Sequence, residues 1–181
     1  MLILLPIVVF AVQAFWVKND LTAAKSELTS VMKSVKKGDT TAIQASGDKV
    51  VELTTHANGL VRGPLWTVFS GIPFVGQNVD AVRTVTEATH TLVEGAMPAG
   101  VKMLDTLQPK SLQVKGGGIN LKPLQDASAS LPTINTAFTK AQRQLVTVDR
   151  TKILPVVDDA ISPLFDLMDQ TAPVLKDLQN Y

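Results

Sequence analysis

Apolar residues fill almost every position from Met1 to Val17, with Gln13 the one strongly polar side chain, and then give way to a spaced pattern. Trp16 is followed at once by Lys18, Asn19 and Asp20, the order expected where an indole sits at headgroup level and charge begins beyond it. A bilayer core takes about 20 apolar residues as helix, so the run is slightly short. It predicts a membrane anchor over residues 1–18, with membrane lipid as the partner of that helix. A cleavable signal peptide and a buried core helix are the alternatives. The signal peptide lacks a basic leader, although Val12-Gln13-Ala14 is a passable small-residue cleavage site.

Beyond the run the spacing becomes helical. Leu21, Ala24, Leu28, Val31 and Val35 recur at intervals of three and four, a narrow seam suited to packing against another helix. No Gly or Pro falls between Val17 and Gly38, so one helix is expected to leave the membrane and continue beyond it. Gly38 reads as a helix stop, and Asp39 or Thr40 as the cap of the next helix. That second helix carries Ile43, Val50, Val51, Leu53 and Ala57, ends near Asn58-Gly59, and returns antiparallel towards the membrane.

Residues 59–78 break the pattern. Gly59, Gly63, Gly71 and Gly76 with Pro64 and Pro73 forbid a continuous helix. Yet Leu65, Trp66, Val68, Phe69, Ile72, Phe74 and Val75 are too apolar for a free loop. Such a corner must be covered, either as a plug at the base of a helical bundle or by dipping into the bilayer surface; a ligand pocket lined by Trp66, Phe69 and Phe74 is the third possibility. Leu65, Trp66, Phe69, Ile72, Phe74 and Val75 are therefore the candidate interface or membrane-contact residues.

Gln77-Asn78 then reads as the cap of a long third helix, with Val82, Val85, Leu92 and Ala96 inside and Thr84, Glu87, Thr91 and Glu94 outside. Gly95 and Pro98 predict a kink in it. Residues 109–120, with Gly116-Gly117-Gly118, read as a flexible loop. No strand is convincing, Ser111 to Val114 being the best short candidate. Helical stripes resume with Leu124, Ala127, Leu131, Ile134, Phe138, Ala141, Leu145 and Val148, and again from Ile153 through Val156, Val157, Ala160, Leu164, Leu167 and Met168 to Val174, Leu175 and Leu178. Pro123 and Pro155 suit first-turn positions, whereas Pro132, Pro163 and Pro173 predict kinks or restarts. The expected class is all-α: a kinked, elongated bundle of about five long helices after the N-terminal membrane helix, occupying residues 19–181.

Composition narrows the chemistry. Hydrophobic residues make up 45% of the chain and charged residues 18%, which is apolar-rich and charge-poor for a soluble protein. The net charge of +1 comes without a Lys or Arg cluster, so nucleic acid is not an expected partner. There is no Cys, which removes disulfides and thiolate chemistry, and with only two His a multi-histidine metal site is not expected. Asp159, Asp166 and Asp169 share one side of a helix and His90 lies one turn from Glu87 and Glu94, but solvated faces and surface ion pairs explain both. No nucleophile elbow, zinc-protease or nucleotide signature occurs, and the triple glycine lacks the strand and the Gly-Lys-Ser or Gly-Lys-Thr of a phosphate loop. Neither catalytic residues, cofactor nor metal is assigned.

The corner carries a resemblance. Pro64-Leu65-Trp66, then Ile72-Pro73-Phe74-Val75-Gly76-Gln77-Asn78-Val79, then Asp80-Ala81-Val82-Arg83 is similar to the run found in the actinobacterial membrane-anchored domain-of-unknown-function family four-zero-one-two. The resemblance implies a single N-terminal membrane helix, a helical domain on the extracytoplasmic side and an actinobacterial cell envelope; it brings no catalytic residues. Its members usually continue into an α/β region, so a longer native chain or a short relative is expected. On charge alone, Lys18, Lys25, Lys33, Lys36 and Lys37 against Asp20 and Glu27 would place the domain in the cytoplasm, and the resemblance opposes that. The expected function is a non-catalytic, membrane-anchored envelope protein whose helices bind a protein or envelope polymer. An extracytoplasmic ligand sensor, an accessory subunit of a larger membrane complex and a glycan-acting enzyme using Asp159, Asp166 or Asp169 are the alternatives.

Overall fold

The computed structural model describes residues 2–180. In chain order it has α1 (Leu4–Lys37), α2 (Thr40–Val61), α3 (Pro64–Ser70), α4 (Gly76–Thr106), α5 (Pro109–Leu112), α6 (Lys122–Ser128), α7 (Leu131–Leu145), a 3-10 turn at Arg150–Lys152, and α8 (Pro155–Gln179). The fold is all-α. Helices α1, α2, α4, α7 and α8 each have 15 residues or more, and the first of them contains the apolar run.

Helix α1 continues from the apolar run to Lys37 without a break, and Gly38 stops it in the left-handed conformation at φ 69°. Asp39 then caps α2 by accepting the Ala42 N–H at 3.1 Å. The tight reversal lays α2 antiparallel on the seam of α1, where Ala24, Val50 and Val93 form a buried cluster with Leu28, Val51, Leu53 and Met97 around it. Helix α2 runs on through Asn58-Gly59 to Val61, because Ala57 and Val61 are both needed in the core at its far end.

Helix α4 is the centre of the bundle. Val79, Val93 and Met97 pack towards α1 and α2, while Ala81, Val85 and Ala88 pack towards α7 and α8. Two covered faces correct the expectation of a single buried one: Thr84, Glu87 and Thr91 are half-buried, and Thr86 is fully buried with its hydroxyl donating to the Val82 carbonyl at 2.7 Å. The approach to α7 is so close that a Cβ added at Gly95 would stand 2.6 Å from Ala137 Cβ. Gly95 is thus a packing glycine. The helix stays continuous through Gly95 and Pro98, and α8 through Pro163 and Pro173. Each of these prolines is exposed, where water can serve a carbonyl left without its donor. Pro132, by contrast, does mark a restart, in the first turn of α7.

Residues 109–120 form a helical turn and then a hairpin-like bend closed by the Gln113–Ile119 bridge, which Gly116 and Gly117 permit at φ 122° and 91°. Helix α8 buries Ile161, Met168 and Leu175 against Phe138, Ala141 and Leu145. Its start is clasped by Arg150, which donates to both Asp158 oxygens at 2.6 and 3.3 Å and lies 4.7 Å over the Phe165 ring.

Gly95→Ala is expected to overpack this layer and cost about 1–3 kcal/mol, read as a lower thermal midpoint of the detergent-solubilised chain. Adding Ala137→Gly should recover most of the loss.

The clasp also predicts an acid response. Hydrogen bonding from Arg150 holds the Asp158 carboxyl below its ordinary value of 3.8, and the same bond raises Arg150. A depressed carboxylate contributes stability above its unfolded pKa and loses it as pH falls through the folded one, while Arg150 stays charged throughout. Amide exchange over α8, corrected for the intrinsic rate, should therefore accelerate relative to α2 below about pH 4. In Asp158→Asn the faster exchange should already be present at neutral pH.

Candidate functional site

The corner is built from both ends of a short helix. Gly63, extended at φ −67° and ψ 163°, ends the turn after α2, and Pro64 starts α3 at a position where its missing N–H costs nothing. Trp66 and Phe69, three apart, then face the same side. That side meets α1: the Phe10 ring lies 4.8 Å from Trp66 and stacks 4.2 Å from Phe69. Trp66 is 1% exposed, and its indole N–H donates to Gln13 Oε1 at 3.1 Å. Gln13 is the one strongly polar side chain of the apolar run, so this bond removes the run's main polar liability. Val17, Ala57, Val61 and Val79 complete the cluster.

The turn from α3 to α4 is equally constrained. A Cβ on Gly76 would come within 2.0 Å of the Ser70 carbonyl oxygen, so the two helices can meet this way only at glycine. Within the turn the N–H groups of Gly71, Ile72, Val75 and Gly76 each donate to a corner carbonyl, and Pro73 has none to place. Phe74 sits at φ 66°, a left-handed conformation that costs a bulky residue on the order of 1–3 kcal/mol. The residue is 92% exposed. Asn78, expected as a helix cap, lies instead in the first turn of α4; its amide donates to the Phe74 carbonyl and accepts the Leu154 N–H at 2.7 Å, tying the corner to the start of α8.

The six candidate residues thus divide. Trp66 is buried, Leu65 and Phe69 are half-buried, and Ile72, Phe74 and Val75 are exposed. Trp66 and Phe69 pack on α1 while Phe74 points outward, so the three do not line a common pocket. Val68, 63% exposed, joins the outward group. The sequence carried a signal for it: once Trp66 and Phe69 define the inward face, Val68 falls on the other side of a seven-residue helix.

Helix α1 is the one helix among the described residues long and apolar enough to cross a membrane, with a mean hydropathy of 1.4 in its apolar window and 6% of that window buried. Such exposure distinguishes it from a soluble core helix. Just beyond the run, Asp20 pairs with His56 of α2 at 2.5 Å.

The other sequence candidates lie elsewhere. Asp159, Asp166 and Asp169 are exposed on α8, and no group of three or more His, Asp or Glu residues placed to hold a metal occurs among the described residues. His90 reaches Glu94 at 3.2 Å from a mostly buried position, with Nδ1 unpartnered, so it belongs to the helix interface more than to the surface. At the far end, an open groove of about 380 Å³ lies between α2 and α4, bordered by Gln44, Asp48, Met97, Lys102 and Asp105. No family model, curated protein or solved structure matches the chain.

Trp66→Phe should leave Gln13 unpaired in apolar surroundings and cost about 1–3 kcal/mol. Gln13→Leu alone should strand the indole N–H at a similar cost. The double variant, with both polar partners gone, should be nearer wild type than either; a thermal-unfolding double-mutant cycle measures the coupling.

Proposed function

We propose that this chain is a non-catalytic, membrane-anchored envelope protein: α1 crosses the bilayer once and the bundle stands on the extracytoplasmic side as an interaction module for a protein partner. One observation carries the reading: a single unbroken helix, Leu4–Lys37, is apolar but for Gln13 and mostly exposed as far as Trp16, then buries Val17, Ala24 and Val31 in the bundle. Cleavage after Ala14 would remove Phe10 and Gln13, on which Trp66 and Phe69 pack. That dependence favours a retained anchor over a discarded signal peptide. The side of the membrane and the actinobacterial envelope rest on the resemblance of the corner to family four-zero-one-two, against the lysines that follow the run.

The face free for a partner is the outer side of α8. Val156, Leu167, Val174 and Leu178 are exposed there, flanked by the carboxylates of Asp159, Asp166, Asp169 and Asp177. An apolar stripe edged with acid fits a protein that brings apolar and basic groups together.

The test is made in cells. The intact chain should stay in the membrane pellet after alkaline carbonate extraction, and photo-reactive residues replacing Val156 or Leu167 should crosslink to one discrete protein. Release by carbonate would end the anchor reading; reaction with solvent alone at both α8 positions would end the interaction reading.

A further inference from the structure

We propose that the outward side of the corner, formed by Val68, Ile72, Phe74 and Val75, is a second membrane contact inserted into the same bilayer that α1 crosses. This rests on the membrane reading of α1 and adds a lipid-binding surface to it. Depth is the first argument. Phe69 stacks on Phe10 and Trp66 bonds to Gln13, both inside the apolar run and not beyond its end. From Phe10 to Val17 the helix rises about 10 Å, so if Trp16 and Lys18 mark the headgroups, α3 lies beneath them, level with acyl chain. Whatever α3 and the following turn expose at that level faces lipid.

The surface fits that surrounding. Its exposed large apolar side chains are two valines, an isoleucine and a phenylalanine, next to the exposed apolar faces of α1, and Thr67 is the one polar side chain that α3 and the turn expose beside them. The turn satisfies the N–H groups of Gly71, Ile72, Val75 and Gly76 internally, Pro73 has none, and the Phe74 carbonyl accepts the Asn78 amide. This leaves the Phe74 N–H as the one donor of residues 71–76 without a protein acceptor and suits the turn to shallow insertion, where water still reaches it. Exposed Lys18 and Arg62 directly follow Val17 and Val61 of the adjoining cluster, where long basic side chains can reach phosphate. Phe74 supplies the second argument. A turn needing only to reverse the chain is served by glycine at φ 66°, whereas phenylalanine strains the backbone and contributes nothing inside the bundle. Insertion of the ring into lipid gives that strain a return.

The chain has no cysteine, so single-cysteine variants carry one environment-sensitive fluorophore each. Phe74→Cys and Ile72→Cys report the corner, Val8→Cys reports the exposed apolar helix, and Met32→Cys reports the exposed distal part of α1. The full chain is reconstituted into phosphatidylcholine vesicles containing one-fifth phosphatidylglycerol, with nitroxides at shallow or deep acyl positions. Probes at 72 and 74 should lose most of their emission to shallow nitroxides, the probe at 8 to deep ones, and the probe at 32 to neither. Phe74→Asp in the Ile72→Cys chain should return that probe to water with helicity unchanged. If the probe at 8 is quenched while those at 72 and 74 behave like the one at 32, the corner contact is refuted and the anchor stands. A corner probe shielded from water yet unquenched by lipid nitroxide would mean a protein contact and would also overturn the proposal. An unquenched probe at 8 would instead refute the anchor reading itself.

Discussion

The hydrogen bond from Trp66 to Gln13 joins the apolar helix to the bundle, and the placement of the corner follows from it. A glutamine in an apolar run is costly unless a donor or acceptor reaches it. Supplying one from α3 forces that helix down beside the run, where Phe10 can stack on Phe69. The chain must then climb back into the bundle as α4. Gly76 allows the return by letting its backbone pass against Ser70, and the left-handed Phe74 turns the chain into it.

Packing above the corner depends on small residues at crossings. Gly95 against Ala137 brings α4 onto α7, and Gly47 against Val101 brings α2 onto α4, with an added Cβ at 47 only 3.1 Å from the valine methyl. These contacts let one helix, α4, be covered on two faces while remaining rich in Thr, Ala and Gly. Such a layer gains from close approach more than from large side chains, so added volume meets Ala137 Cβ at one crossing and the Val101 and Met97 side chains at the other.

Much of this was legible in the sequence because it is local. The Gly38 stop, the Asp39 cap, the first-turn prolines 123 and 155, and the seam of α1 are decided by neighbours within a turn or two. What was illegible depends on distant partners. Nothing near Asn78 says that it will bind Leu154 instead of capping α4, and nothing near Thr86 says that a second layer will cover it. Helical periodicity reads one buried face and fails for a helix with two. The corner was legible as an apolar break that needed covering, but its division into inward Trp66 and outward Phe74 required knowing where α1 stood.

The two membrane contacts proposed for this chain act together through rigidity. A single helix in a bilayer leaves a bundle free to tilt and to rotate about the helix axis. An off-axis contact through Phe74 and Ile72 removes much of that freedom, because α3 is fixed to α1 by two rings and a hydrogen bond. From Val17 to Gly38 the helix rises about 30 Å, so a small change of tilt at the base becomes a large displacement at the tip. Restricting tilt therefore fixes the height and heading of whatever the upper bundle presents. Asn78 extends the constraint to α8: it bonds the corner through the Phe74 carbonyl and α8 through the Leu154 N–H, so the acid-edged face of α8 is positioned from the same turn that is proposed to meet the lipid.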